Sequence, residues 1–181
     1  MALWFKTSML LTWLFIYHPA TWLHSIRVSY YADQIGKELW TEAIDLRALR
    51  TAALLHDIGK IMIPKKVLKK RDSLMESEYK MIKRHVEFGY QILKNAGYSE
   101  GICEAVRDHH ERADGKGYQY KTECSLPAAI ISVADCYDVM KHGRSYQKRK
   151  TNAEITIELC NQMGKQFQTK VAMAALWSLL T

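Results

Sequence analysis

What this sequence lacks narrows it first. Cysteine is sparse: the four that occur, Cys103, Cys124, Cys136 and Cys160, form no CxxC pair. That argues against a disulfide framework or a thiolate zinc site and makes a cytoplasmic, reducing setting the simplest expectation. Long apolar runs are also missing. The most apolar stretch, Met9–Tyr17 (MLLTWLFIY), stops at His18 and Pro19, well short of the ~20 residues that a bilayer-spanning helix needs. Lys6 ahead of it resembles the start of a secretion signal, but no small-residue cleavage site follows. Two readings of residues 1–18 therefore stay open. One is a leading apolar helix with Leu10, Leu14 and Tyr17 on one face and Trp13 beside them. The other is a signal-like or membrane-proximal remnant, which leaves membrane association undecided. Strand-like alternation, internal repeats and low-complexity linkers are absent as well.

What is present reads as one globular unit. The 181 residues suffice for a single domain with a sizeable core. Hydrophobic residues make up 48% and charged residues 25%, the balance of an ordinary folded protein. The net charge of +7 favours an anionic partner (nucleotide, nucleic acid or membrane surface) without choosing among them.

The segments read as helices throughout. From about Ala20 to Trp40 an apolar rhythm runs through Leu23, Ile26, Tyr30, Ile35 and Leu39. Asp45 suits the cap of a helix through LRALRTAALLHDIG, with Gly59 and Pro64 at its end. Glu76 to Ala96 reads as the longest helix, closed by Gly97, and Glu100 to His109 as a shorter one. HERADGKGYQYKTECS reads as loop. Pro127 to Met140 is helical, Thr151 and Glu154 form a capping box, and Val171 to Leu180 closes the chain. The expected fold is all-α. Met75, Met81, Met140 and Met163 are expected to fill the core, and Cys136 to lie in it. Lys65, Lys66, Lys69, Lys70 and Arg71 read as a solvated face; no aromatics interleave them, so stable nucleic-acid binding is not expected.

The ionisable groups stand out against this background. His24 lies on the first long helix, His56 and Asp57 end the next, His85 follows, His109 and His110 open the glycine-rich loop, and Asp135 interrupts AIISVADCYDVM. A single helical histidine is most often a satisfied core or surface residue. A carboxylate in so apolar a run is costly unless it is paired or bound to a metal. Together, five imidazoles and two carboxylates suit zinc, iron or manganese. They are too many for one tetrahedral ion and about right for two ions that share a carboxylate and keep open positions. Inward-facing helices are a suitable scaffold for such a centre.

At these residues the chain resembles the HD superfamily of metal-dependent phosphohydrolases. HDIGKIMIP, HVEFGYQIL, HHERADGKGY, SVADCYDVM and then Arg144-Ser145-Tyr146 resemble its HD-GYP subfamily, from about His18 to Phe167. The resemblance implies an HD-type helical bundle with a metal centre in its core, a single phosphohydrolase domain over residues 1–181. It implies hydrolysis of cyclic di-GMP to linear pGpG, and possibly GMP, by attack of a metal-bridged hydroxide on phosphorus. His24, His56, Asp57, His85, His109, His110 and Asp135 would hold two divalent ions, iron or manganese with zinc possible, and Asp57 would bridge them. Lys60 would assist catalysis as electrostatic partner or proton donor. Lys60, Gly115, Lys116, Gly117, Tyr118, Arg144 and Lys148 would contact substrate. GGDEF-type synthases or sensor domains would be partners.

The chain departs from the family pattern at several places. Gly-Tyr-Pro reads Gly117-Tyr118-Gln119, and the loss of proline is expected to loosen the loop. Ala20 stands where members with a third metal carry Glu, Gln147 replaces a basic residue, and Phe-Asp-Pro reads Phe167-Gln168-Thr169. Two alternatives follow: a phosphohydrolase of another (cyclic di)nucleotide, or a non-catalytic cyclic di-GMP sensing or docking module.

Overall fold

Helix boundaries follow local chemistry in the computed structural model, which describes residues 3–39, 44–70, 72–119, 124–143 and 148–180. Helix α1 is Leu3–Tyr17, and Leu10 and Leu14 are its buried residues. Helix α2, Pro19–Glu38, starts where proline needs no N–H partner, and the His18 ring accepts from the Thr21 N–H. Asp45 caps α3, Leu46–Leu55, by accepting from the N–H groups of Arg47 and Ala48 at 2.8 and 3.1 Å. A tight 3-10 segment, Ile58–Met62, follows. Then come α4 (Lys65–Leu68), α5 (Glu76–Lys83), α6 (His85–Asn95), α7 (Glu100–Asp108), α8 (Leu126–His142), α9 (Asn152–Gln162) and α10 (Thr169–Leu180). Ser125 caps α8, and Thr151 with Glu154 caps α9. Gly97, at φ 77°, takes the left-handed turn after α6.

Helix α2 is the axis of the bundle and packs on α1, α3, α8 and α10. Leu14, Val28, Ile35, Leu49, Leu55, Leu93, Ile130, Ile131 and Leu159 lie in one continuous core.

Three expectations need correction. The apolar rhythm marks the wrong face over the first half of α2: Leu23, Ile26 and Tyr30 are exposed, whereas His24, Ser25, Val28, Ala32 and Asp33 are buried; Ile35 and Leu39 are in the core as expected. The inward face is small and polar because α2 presses closely on α3 and supplies groups to the site. A Cβ on Gly36 would lie 2.9 Å or less from Leu46 and Leu49 methyls. The stretch from Glu76 to Ala96 is two helices, α5 and α6, broken at Arg84, so α2 is the longest helix among the described residues. At the break the His85 ring bonds the Ile82 carbonyl, at 2.7 Å, and the Arg84 N–H turns back on the carbonyls of Met81 and Ile82. Met75 and Met81 are exposed rather than core, whereas Met140 is buried and the half-buried Met163 and Cys136 pack against the core.

The 3-10 segment is held against α6 more closely than any side chain would allow. A Cβ on Gly59 would sit 1.9 Å from the His85 carbonyl oxygen and 2.5 Å from the Gly89 nitrogen. Glycine at 59 therefore lets the chain that follows Asp57 lie directly on the turn that carries His85.

Candidate metal centre

Five stretches of chain deliver the candidate ligands. His24 comes from α2, His56 and Asp57 from the end of α3, His85 from the first turn of α6, His109 and His110 from the end of α7, and Asp135 from α8. All seven gather in one place. His24, His56 and Asp135 form a group whose ligand atoms lie within 4.8 Å of one another, and His85, His109 and His110 form another. His56, Asp57 and His109 form a third group across the two. Asp57 lies on the seam: its Oδ1 is 3.4 Å from His85 Nε2, and its Oδ2 is 3.5 Å from His56 Nε2 and 3.9 Å from His24 Nε2.

The rings are aimed as ligands. In His56, His85 and His109 the Nδ1–H donates to the carbonyl three residues back, those of Ala53, Ile82 and Val106, at 2.7 Å in each case. That bond fixes the tautomer and turns Nε2 inward. The Nε2 atoms of His56, His85 and His109 are buried and lack a hydrogen-bond partner, while that of His24 lies 3.1 Å from Asp135 Oδ1. Buried polar nitrogens are rarely left without a partner, and three of them gathered beside Asp57 call for an occupant of another kind. Imidazole and carboxylate donors in this ratio fit divalent zinc, iron or manganese, so the residues present suit the expected ions.

The electrostatics agree. Burial drives His85 down to about 4 and His110 to about 3, and holds His109 well below the ordinary histidine value, so these rings are neutral at pH 7. Burial works to raise the Asp57 carboxyl, but Lys60, His56 and His85 outweigh it and hold Asp57 well below the usual range. Lys60 Nζ donates to Asp57 Oδ2 at 2.5 Å and is the adjacent positive charge. His24 behaves oppositely: burial lowers it, but Asp135 and Asp138 overcome this and raise it to about 9.

Asp138 and Arg27 were missed in the sequence. Asp138 accepts from His24 Nδ1 at 2.7 Å and is itself gripped by Arg27 Nε and Nη2 at 2.6 and 2.9 Å. The signal was there as Asp135-Cys136-Tyr137-Asp138, two carboxylates one turn apart in an apolar helix.

The residues expected to contact substrate are less closely gathered. Lys60 is at the centre. The Tyr118 ring stacks on His110, centroids 4.5 Å apart, with Lys83 Nζ over it at 4.9 Å. Gly117 is buried where a Cβ would lie 2.5 Å from the Glu111 Cα. Gly115 takes a left-handed turn at φ 73°, while Lys116 and Lys148 are exposed with no contact to the seven. Arg144 and Gln147 lie outside the described residues. Gln119 reverses the expectation of a looser loop. Its backbone N–H donates to Glu111 Oε1 at 2.7 Å, a bond proline cannot make, and its side chain reaches the Arg107 carbonyl at 3.3 Å.

The chain is 33% identical over 158 residues to a cyclic di-GMP phosphodiesterase of Thermotoga maritima, covering 84% of this chain and 43% of that protein. It is 36% identical over 132 residues to 3′3′-cGAMP-specific phosphodiesterase 3 of Vibrio cholerae, covering 71% of this chain and 29% of that protein. The chain thus spans less than half the length of these relatives. Its fold matches the HD domain of the Listeria monocytogenes phosphodiesterase PgpH, solved with cyclic-di-AMP, at TM-score 0.71 and 20% identity over 94% of each chain. The family profile described as HD domain matches residues 9–171, and the chain belongs to that family.

Proposed function

We propose that this chain is a metal-dependent phosphodiesterase that opens cyclic dinucleotides, cyclic di-GMP first, to the linear pGpG and possibly to GMP. The observation that carries this is the convergence of the His24, His56 and His85 Nε2 atoms on a buried carboxylate, Asp57, with His109 in the same cluster. His24, His56 and Asp135 would hold one divalent ion, His85, His109 and His110 a second, and Asp57 would serve both. Iron or manganese suits this set, and zinc is compatible. Two such ions supply Lewis acidity toward a phosphoryl oxygen and a nucleophile at neutral pH.

The remaining work falls to the chain's own side chains. Lys60 Nζ, held at Asp57, stands where a phosphate would meet it, neutralises developing charge and can give a proton to the departing ribose 3′-oxygen. Asp138 and Arg27 fix the His24 ring. Tyr118, stacked on His110, closes one side and limits water access. The same reading makes residues 1–181 a single phosphohydrolase domain, with Gly115, Lys116, Gly117, Tyr118, Arg144 and Lys148 near the substrate. It places the chain in the cytosol and admits sensor or GGDEF-type partners. Among the described residues, no helix is long and apolar enough to cross a membrane.

The test is turnover of cyclic di-GMP after anaerobic loading with Fe(II) or Mn(II), with metal counted per chain, for wild type and Asp57→Asn. Release of pGpG by wild type alone, with about two metals bound, is the expected result. Metal without turnover of any cyclic dinucleotide would refute the assigned reaction. No metal and no turnover would leave a helical binding module.

A further inference from the structure

We propose that the cavity beside Asp135 is a nucleobase pocket that selects guanine through the Glu158 carboxylate. This rests on the phosphodiesterase reading and goes on to name the base that the site prefers. The cavity measures about 290 Å³, and Asp135, Met140, Lys150, Glu158, Gln166 and Phe167 are among its lining. Small-molecule sites run from roughly 300 Å³ upward, so this one admits a single base and not a whole dinucleotide. Asp135 is part of its wall and also part of the His24–His56 ligand group. A phosphodiester held at the metals therefore has its attached nucleoside next to this opening.

The lining suits a purine. Met140 and Phe167, 5% and 3% exposed, are packed into the core and present only an apolar edge to the cavity. Glu158, on α9, offers two carboxylate oxygens. Its Oε2 meets Lys150 Nζ at 3.1 Å, and its Oε1 accepts from Gln162 Nε2 at 3.2 Å. Both neighbours hold the carboxyl below its ordinary value, so it is ionised at neutral pH. Guanine presents N1–H and N2–H₂ side by side, two donors that a carboxylate can accept together. Adenine presents the N1 lone pair at the same place, which a carboxylate repels. A site built to pair two donors discriminates strongly against a ligand that lacks one of them. Lys150 would be left to meet guanine O6 or a phosphate oxygen.

The walls are preformed. The Thr151–Glu154 capping box fixes the start of α9. The turn carrying Gln166 and Phe167 is closed by Gly164 N–H to the Phe167 carbonyl at 2.9 Å. It is tied to the glycine-rich loop by Asp114 N–H to the Lys165 carbonyl at 2.8 Å. The pocket and the loop that carries Tyr118 are thus held together.

The experiment compares the metal-loaded wild type with Glu158→Gln on cyclic di-GMP, 3′3′-cGAMP and cyclic di-AMP. Each kcat/KM is taken relative to bis(4-nitrophenyl) phosphate, a phosphodiester with no base. Wild type is expected to prefer the guanine-containing substrates. The variant is expected to lose ~10–100-fold on cyclic di-GMP, chiefly through KM, and far less on cyclic di-AMP. Equal losses on all three, or none, would overturn the assignment. Equilibrium titration with GMP and AMP decides the pocket independently of turnover. GMP binding that is tighter than AMP binding and weakened by Glu158→Gln supports it, and equal binding of the two nucleotides overturns it. Failure of wild type on every phosphodiester, the base-free one included, would instead refute the phosphodiesterase reading.

Discussion

Asp138 and His24 meet at 2.7 Å across 114 residues of sequence, and the other nitrogen of the same ring lies 3.1 Å from Asp135. One imidazole is thus held between two carboxylates from successive turns of α8, the first suited to orient it and the second to share an ion with it. Orienting partners of this kind commonly tune metal affinity 10–100-fold. Asp138→Asn should therefore weaken metal binding by ~10–100-fold while the helix content by circular dichroism stays unchanged. Titration of the metal-free variant against a competing chelator measures it, and an unaltered affinity would remove Asp138 from the centre.

Lys60→Met separates chemistry from metal binding. Lys60 contributes a charge next to Asp57 but no metal-binding lone pair while protonated. The variant should keep its metal content and lose ~10²-fold or more in kcat on cyclic di-GMP. Loss of metal in step with activity would show that Lys60 is structural.

Gly59→Ala tests the contact that brings the Asp57 turn onto α6. The added Cβ would fall 1.9 Å from the His85 carbonyl oxygen, and backbone cannot step aside as a side chain can. Overpacking of buried sites costs ~1–3 kcal/mol and here should reach or exceed the top of that range. A urea unfolding curve would show it, together with lost metal binding. Wild-type stability would mean that the two segments are not so close.

Acid should destabilise the metal-free protein before it affects most surface groups. His85 and His110 titrate near 4 and 3 in the folded chain, against 6.5 for an ordinary histidine. Between those values the unfolded state binds more protons, so stability falls as pH drops below about 6.5 and is lost progressively toward 3. His24, raised to about 9, acts with the opposite sign: its stabilisation is complete below 6.5 and fades as pH climbs through 9. Urea midpoints at pH 7 and pH 5 without metal are the measurement, and a higher midpoint at pH 5 would contradict the buried, neutral state of these rings.

Gln119→Pro restores the residue that the family motif carries. It also removes the N–H that bonds Glu111 Oε1 at 2.7 Å. The expected outcome is a loss of about 1 kcal/mol in unfolding free energy with unchanged metal content. A stabilised variant would mean that ring stiffness outweighs that bond.

The cluster of candidate ligands was legible in the sequence because its residue types are chemically unusual where they stand. Histidines and aspartates in apolar helices require partners, and only a few ions accept that mixture. The rest was harder to read. Asp138 looks like any polar residue on a helix until Arg27 and His24 are seen to close on it. The break at Arg84 is invisible because Arg84 and His85 are both compatible with helix, and nothing local marks the His85 ring's bond to the Ile82 carbonyl. The face of the first half of α2 was misread because Leu23, Ile26 and Tyr30 carry the hydrophobic signal while small residues carry the packing; Ile35 and Leu39, later in the same rhythm, are buried. The pocket at Glu158 draws on α8, α9 and the turn before α10, segments that no local pattern joins.

The rings of His56, His85 and His109 each take their orientation from a carbonyl three residues away, whereas His24 takes its from a helix 114 residues distant. Motions that part α2 from α8 leave the first three aimed and release only the fourth. An ion held by His24 and Asp135 would then leave before one held by His85, His109 and His110 when the bundle breathes.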